Sequence, residues 1–61
     1  MSVAERMIKA RGDMKRADVC KEAGISLSAL TMYENGQRVP RDEIKVKLAK
    51  IYGTSIEALF Y

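Results

Sequence analysis

The sequence predicts an all-α domain built from five short helices, and three observations support this fold class. Four glycines and one proline divide the 61 residues into segments that each open with a helix start signal and close with a helix stop signal. Within these segments apolar residues recur at the three- and four-residue spacing of an amphipathic helix. No stretch alternates apolar and polar residues for long enough to indicate a strand. We therefore expect residues 1–61 to form a single compact domain.

The first two predicted helices cover residues 2–11 and 15–23. Ser2 and Glu5 have the spacing of a capping box, in which each side chain accepts a hydrogen bond from the other residue's backbone amide. Gly12 is predicted to end the first helix, because a left-handed backbone conformation is least costly at glycine. Asp13 is predicted to cap the second helix, which Gly24 ends.

The other three predicted helices are separated by a loop at residues 37–40 and by Gly53. Ser26 is predicted to cap a helix over residues 27–34, and Pro40 keeps the residue before it out of helical backbone angles. A fourth helix follows over residues 42–52. Thr54 and Glu57 make a second capping-box match, which predicts a short fifth helix that ends at residue 60.

The predicted core collects the apolar residues that share one face of each helix. Its members are Met7, Ile8, Met14, Val19, Ala23, Ile25, Leu30, Tyr33, Ile44, Leu48, Ile51, Tyr52, Ile56, Leu59 and Phe60. Cys20 is expected to be a small core residue. Val46 lies on the opposite face of its helix from Leu48, where it is either an isolated exposed residue or part of a partner surface.

Composition and charge exclude several classes of function. The chain has 11 Lys and Arg against 8 Asp and Glu, and this net charge of +3 favours an anionic partner such as nucleic acid or a membrane surface. It has no His and a single Cys, so a zinc site, a Cys/His nucleophile pair and an intramolecular disulfide are excluded. No apolar run approaches the roughly 18–20 residues that a membrane span needs. We expect a cytoplasmic protein with no cofactor, no metal, no small-molecule ligand and no enzymatic activity.

Residues 16–35 carry the most specific pattern in the chain, two short helices joined by a tight turn at Gly24. The small side chain of Cys20 permits the second helix of the pair to approach the first closely. Ser26 caps the second helix and leaves its first turn pointing outward. This arrangement is typical of a helix-turn-helix, which lays its second helix in the major groove of DNA.

Three blocks of the chain resemble the Cro/CI-type (Xre) helix-turn-helix family of phage and bacterial repressors. They are VCKEAGIS at residues 19–26, YENGQRVP at residues 33–40 and LAKIYGTSIEALF at residues 48–60. The resemblance covers nearly the whole chain, and all three blocks stand at the family's spacing. It implies a lambda-repressor-like fold and a transcriptional repressor that binds an operator in double-stranded DNA as a homodimer.

The resemblance also implies the roles of individual residues. Base-edge readers fall at Leu27, Ser28, Thr31, Met32 and Asn35. Phosphate-binding residues fall at Arg16, where the family usually has a Gln, and at Ser26, Gln37, Arg38, Arg41 and Lys45. Glu34 matches a family acid that pairs with a basic residue of the first helix. By register its partner is Lys9, with Arg6 and Arg11 as alternatives, or Glu34 is unpaired in solvent.

The predicted recognition helix departs from the family because it is unusually apolar. Before Asn35 it has no Arg, Gln or Asn, the side chains that discriminate bases with two hydrogen bonds. Ser28 and Thr31 offer one weakly selective hydroxyl each. The apolar residues able to touch thymine methyl groups are Leu27, Ala29 and Met32. We expect an A/T-leaning site that is also read through DNA shape, with a protein-docking face at Leu27 and Met32 as the alternative.

The apolar C-terminal end of the chain is compatible with two arrangements. Either Leu59 and Phe60 close the core and leave Tyr61 half exposed, or Phe60 and Tyr61 join Val46 in a dimer interface. A whole protein of this length would be a minimal Cro-like repressor, whereas a cut chain would lack a sensor or dimerisation segment. The antitoxin of a toxin–antitoxin pair is a further alternative function.

Overall fold

Five helices form in the computed structural model, which describes residues 2–61. They are α1 (Val3–Arg11), α2 (Arg16–Ala23), α3 (Leu27–Glu34), α4 (Asp42–Ile51) and α5 (Ile56–Phe60). The described residues contain no strand, which confirms the all-α prediction. α1 packs against α3 and α5, α2 packs against α3 and α4, and α4 packs against α5. The pair formed by α2 and α3 is therefore supported by one further helix on each of its members.

Two of the predicted caps form as expected. The Glu5 amide donates to Ser2 Oγ at 3.2 Å, and the Ser2 amide donates to Glu5 Oε1 at 3.1 Å, which completes the capping box of α1. The backbone hydrogen bond from Ser2 holds the pKa of Glu5 below its ordinary value. At α3, Ser26 Oγ accepts from the Ala29 amide at 3.0 Å. These interactions span three residues, so local sequence is sufficient to specify them.

The predicted cap of α2 is wrong. α2 begins after Lys15, which makes no side-chain cap bond, while Asp13 lies in the turn that follows α1. In that turn the Met14 amide donates to the Arg11 carbonyl oxygen at 3.0 Å. The chain therefore needs two residues beyond Asp13 before helical backbone angles resume.

The cap of α5 is Ser55 rather than the predicted Thr54. The Thr54 amide donates to the Ala49 carbonyl oxygen at 2.9 Å and so closes the C-terminal turn of α4. Ser55 follows this turn, and its Oγ accepts from the Ala58 amide at 3.0 Å. The helix consequently starts one residue later than the capping-box spacing predicts.

The core lies where the five helices meet. Its buried apolar residues are Met7, Val19, Cys20, Ala23, Leu30, Tyr33, Leu48, Ala49, Leu59 and Phe60, with Ile25, Ile44, Ile51, Tyr52 and Ile56 packed partly buried against them. Ile8 and Met14 are exposed, contrary to prediction. The inner face of α1 follows Val3, Met7 and Ala10, from which Ile8 is turned away, and Met14 lies in the exposed turn before α2.

Candidate nucleic-acid interface

The turn between α2 and α3 sets the angle of the exposed helix. Gly24 ends α2 in a left-handed conformation with φ 69° and ψ 36°, and the Ile25 amide donates to the Cys20 carbonyl oxygen at 3.0 Å. The Cys20 thiol lies 3.6 Å from the Ser26 carbonyl oxygen and donates to it. Burial, together with the nearby charge of Glu34, raises the pKa of Cys20, so the thiol keeps the proton that it donates. Cys20 in α2 thus fixes the turn through two hydrogen bonds, one from its thiol and one to its carbonyl oxygen.

The five predicted base readers occupy one side of α3 and its C-terminal cap. At 100° per residue, Leu27, Ser28, Thr31, Met32 and Asn35 fall within an arc of about 140°. Leu27 is 55% exposed, Ser28 and Asn35 are exposed, and the other two are partly exposed. The opposite side of α3 is buried through Leu30 and Tyr33, and Glu34, which is also buried, lies next to Leu27 at the edge of this arc. The structure therefore brings all five side chains to one accessible surface, which we call the α3 face.

Ala29 does not belong to the α3 face. It lies on a different side of α3, where it lines a groove between the helix-turn-helix turn and the start of α4. The contact of Ala29 with thymine methyl groups stays a prediction, and the apolar residues of the α3 face are Leu27 and Met32.

That groove, of about 380 Å³, borders the N-terminus of α3 and carries three basic side chains and one acidic side chain, that of Glu43, from the loop after α3 and from α4. Arg38, Arg41 and Lys47 line it together with Ser26. Ser26 Oγ accepts the cap bond of α3, which leaves its hydroxyl proton available to an anionic oxygen. We call these four residues the basic groove. Gln37 is exposed in the same loop, and its backbone amide donates to the Met32 carbonyl oxygen at 3.0 Å.

Lys45 is not part of the basic groove, which corrects its predicted role in phosphate binding. Its Nζ lies 3.2 Å from Tyr61 Oη and 3.8 Å from Asp42 Oδ1, and its side chain is 13% exposed. The same ammonium group sits 5.4 Å from the ring centroid of Phe60 and 5.1 Å from that of Tyr61. Lys47 faces the groove instead, because it lies three residues after Ile44, which also lines it. The spacing from Ile44 is the signal that sequence reasoning missed.

Glu34 pairs with Arg11 and Arg16, which corrects the expectation that Lys9 is its partner. Arg11 Nε donates to Glu34 Oε2 at 2.8 Å, and Arg16 Nε donates to Glu34 Oε1 at 3.0 Å. Arg11 comes four residues after the buried Met7 and so points inward, whereas Lys9 is turned by about 200° from Met7 and is exposed. Arg11 is one of the two alternative partners of Glu34 that the sequence predicts.

Tyr52 places a hydroxyl group in the electrostatic environment of this ion-pair cluster. Its Oη is buried and has no hydrogen-bond partner within residues 2–61. Burial, followed by the charge of Glu34, raises the pKa of Tyr52 to about 12. The group therefore stays neutral across the physiological range, and its polar atom adds no hydrogen bond to the core.

The C-terminal tip divides between core and surface. Phe60 is buried and belongs to the domain core, so its predicted place in a dimer interface is corrected. Tyr61 is 73% exposed, and Val46 is also exposed. Val46 lies in α4 and Tyr61 follows α5, and both side chains are accessible.

The assembled surface combines hydroxyl and apolar groups on α3 with cationic groups on both flanks. Arg16 reaches one edge of α3 through its 3.0 Å bond to Glu34, and the basic groove lies along the other edge, where Ala29 lines it. Such a surface is suited to hydrogen bonding and methyl contact at its centre and to anion binding at its edges.

A protein-family model described as helix-turn-helix matches residues 5–59 of the chain. No curated protein and no solved structure gives a significant match. The matched range extends from α1 into α5 and so includes the α3 face, the basic groove and the Glu34 cluster.

Over residues 2–61, no helix has the length and apolar character needed to cross a membrane. The same residues contain no group of three or more His, Cys, Asp or Glu side chains placed to hold a metal ion.

Proposed function

Because the chain belongs to the Cro/CI-type (Xre) helix-turn-helix family of DNA-binding regulators, we propose that it is a sequence-specific transcriptional repressor. The observation that carries this proposal is the α3 face, an accessible helical surface flanked by Arg16 on one side and by the basic groove on the other. α3 enters the major groove of an operator, and the flanking cations bind the phosphates on either side of it. Repression is steric, since a bound operator is closed to polymerase.

Base reading depends on single hydrogen bonds and methyl contacts. Ser28, Thr31 and Asn35 supply the polar groups of the α3 face, and Leu27 and Met32 supply the apolar ones. A thymine presents a C5-methyl group in the major groove, and uracil lacks it. The operator is therefore A/T-leaning, and part of its specificity comes from DNA shape.

Phosphate binding makes the affinity dependent on salt. Four cationic side chains, Arg16, Arg38, Arg41 and Lys47, border the α3 face, and Ser26 and Gln37 add neutral donors. If each cation neutralises one phosphate, log K falls with log [salt] at a slope of about −3.6 per protomer, from about −0.9 per contact. A slope near zero would contradict this assignment.

The functional unit is a homodimer on a palindromic operator. One domain of this size covers a half-site, and two-fold symmetry spaces the half-sites by about one helical turn, 10–10.5 base pairs. Val46 in α4 and Tyr61 after α5 are exposed apolar residues and are the candidates for the dimer contact.

The test is selection and sequencing of fragments that the purified protein retains from a random duplex pool. An enriched palindrome with half-sites about ten base pairs apart is the expected result. Ser28→Ala and Thr31→Ala are expected to relax the preferred sequence more than they lower general affinity. Thr54→Ala is the matched control for Thr31→Ala, because it makes the same chemical change on the side of the domain formed by α1 and α5. Loss of all enrichment by a folded protein at moderate salt would refute operator reading and indicate protein docking at Leu27 and Met32.

A further inference from the structure

Glu34 joins two arginines from different parts of the chain beside the N-terminus of α2. The Glu34 side chain is 2% exposed, that of Arg11 is 15% exposed and that of Arg16 is 50% exposed. One carboxylate charge is thus balanced by two guanidinium charges, which leaves the cluster with a net positive charge. A phosphate group near this cluster is attracted in spite of the buried acid.

The two arginines use their nitrogens differently. Arg11 donates from Nε and Nη2 to the two Glu34 oxygens and from Nη1 to the Met14 carbonyl oxygen, so all three of its nitrogens are engaged. Arg16 donates from Nε alone, and its two terminal nitrogens make no hydrogen bond within the described part of the chain. Because a guanidinium is rigid and planar, a bond that fixes Nε also restricts the direction in which the terminal nitrogens point.

We propose that Glu34 is a positioning residue for phosphate binding. Its bond to Arg16 Nε holds the guanidinium at the N-terminus of α2 so that both terminal nitrogens are presented to one DNA phosphate. Arg11 in turn holds the Glu34 carboxylate. This inference rests on the proposed DNA-binding function and adds to it a buried side chain that itself makes no DNA contact.

The geometry also explains why a cation alone is insufficient at position 16. An arginine binds a carboxylate through Nε and a phosphate through its terminal nitrogens at the same time, with both bonds in one plane. A lysine carries one nitrogen on a flexible stem and lacks the planar fork. Contact with Glu34 would then draw its charge back toward the carboxylate, and no further nitrogen would be left for the phosphate.

The first experiment measures the affinity of Arg16→Lys for the duplex selected with the wild-type protein. We expect binding to weaken about tenfold at constant charge, the factor that corresponds to one lost charge-assisted hydrogen bond. Arg6→Lys is the matched control, because Arg6 lies on α1 beside α5, away from the α3 face. It is expected to bind as the wild type does. An Arg16→Lys variant that binds as tightly as Arg6→Lys would overturn the proposal.

A second experiment tests Glu34 directly. Glu34→Gln removes a negative charge, which by itself strengthens DNA binding, so weaker binding would identify a lost positioning effect. Asp18→Asn makes the same charge change on an exposed residue of α2. We expect Glu34→Gln to bind more weakly than Asp18→Asn, and this difference to vanish when Arg16→Gln is already present. A melting curve for each variant shows that the protein compared is folded.

A third measurement distinguishes positioning from competition. The Nε–H signal of Arg16 in an NMR spectrum reports its bond to Glu34, and we expect the signal to persist when the duplex is added. Its loss on DNA binding would mean that Glu34 releases Arg16, and would overturn the proposal. A wild-type protein that binds no duplex at low salt would overturn the proposed function as well. A wild type that binds, with Glu34→Gln binding as Asp18→Asn does, would overturn only the positioning role.

Discussion

Arg11→Met is expected to destabilise the domain by about 3 kcal/mol. Removing one partner of a buried ion pair costs about 3–5 kcal/mol. The lower end applies here because Glu34 keeps the bond from Arg16 Nε, at 3.0 Å, when Arg11 is lost. The Met14 carbonyl oxygen also loses its donor, which had been 2.9 Å away. That bond accounts for about 1 kcal/mol of the total.

This loss is large relative to the stability of a domain of 61 residues, about 3–9 kcal/mol at 0.05–0.15 kcal/mol per residue. The melting temperature should fall by about 12–24 °C, since 1 kcal/mol corresponds to about 4–8 °C in a domain of this size. Urea denaturation followed by far-ultraviolet circular dichroism measures the free energy of unfolding directly.

Lys9→Met is the matched control, because it removes a cation from the same helix at an exposed position. We expect it to change the free energy of unfolding by less than about 0.5 kcal/mol. Adding Glu34→Gln to Arg11→Met should recover part of the lost stability, because the buried carboxylate, left with only the half-exposed Arg16 as its partner, is then gone. A Lys9→Met variant that is less stable than Arg11→Met would refute the assignment of the ion pair.

Three further predictions concern Tyr52, the α3 face and the lysines of α4. Burial raises the pKa of Tyr52 from 10.0 to about 12 in the folded protein. The unfolded chain therefore loses this proton at lower pH, and the free energy of unfolding should fall as the pH rises from about 10 to 12. Urea midpoints of Tyr52→Phe should lack this fall, and parallel curves for the two proteins would contradict it. Replacing thymine by uracil in the selected duplex should weaken binding through the lost methyl contacts of Leu27 and Met32, whereas equal titration curves would argue against these contacts. Lys47→Ala should make the salt slope about 0.9 less steep. Lys45→Ala should leave the salt slope unchanged. An equal change of slope in both variants would contradict the assignment of Lys47, and not Lys45, to phosphate binding.

The helices could be predicted from the sequence because their ends depend on interactions a few residues long. Ser2 with Glu5 and Ser26 with the Ala29 amide form as local pairs, and Gly24 takes the left-handed conformation that ends α2. The predicted cap at Thr54 is wrong because the Thr54 backbone amide donates to Ala49 in the turn that ends α4. A capping-box pattern in the sequence does not show that this amide is already hydrogen-bonded.

The α3 face could also be predicted, because it follows from helical spacing once α3 is assigned. Its residues share an arc of the helix, and the buried Leu30 and Tyr33 occupy the opposite arc. The family resemblance supplied their roles as base readers, which remain predictions. Local sequence therefore determined the helices, the turn and the composition of the recognition surface.

Tertiary structure alone decided which of several similar cations serves which partner. α1 carries Lys9 and Arg11 and α4 carries Lys45 and Lys47, and the sign of the charge does not separate the members of either pair. Arg11 reaches Glu34 because α1 packs against α3, and Lys45 lies over the Phe60 and Tyr61 rings because α5 packs against α4. Charge acts through space over a few ångströms, so the pairing of cations depends on helix packing rather than on position along the chain.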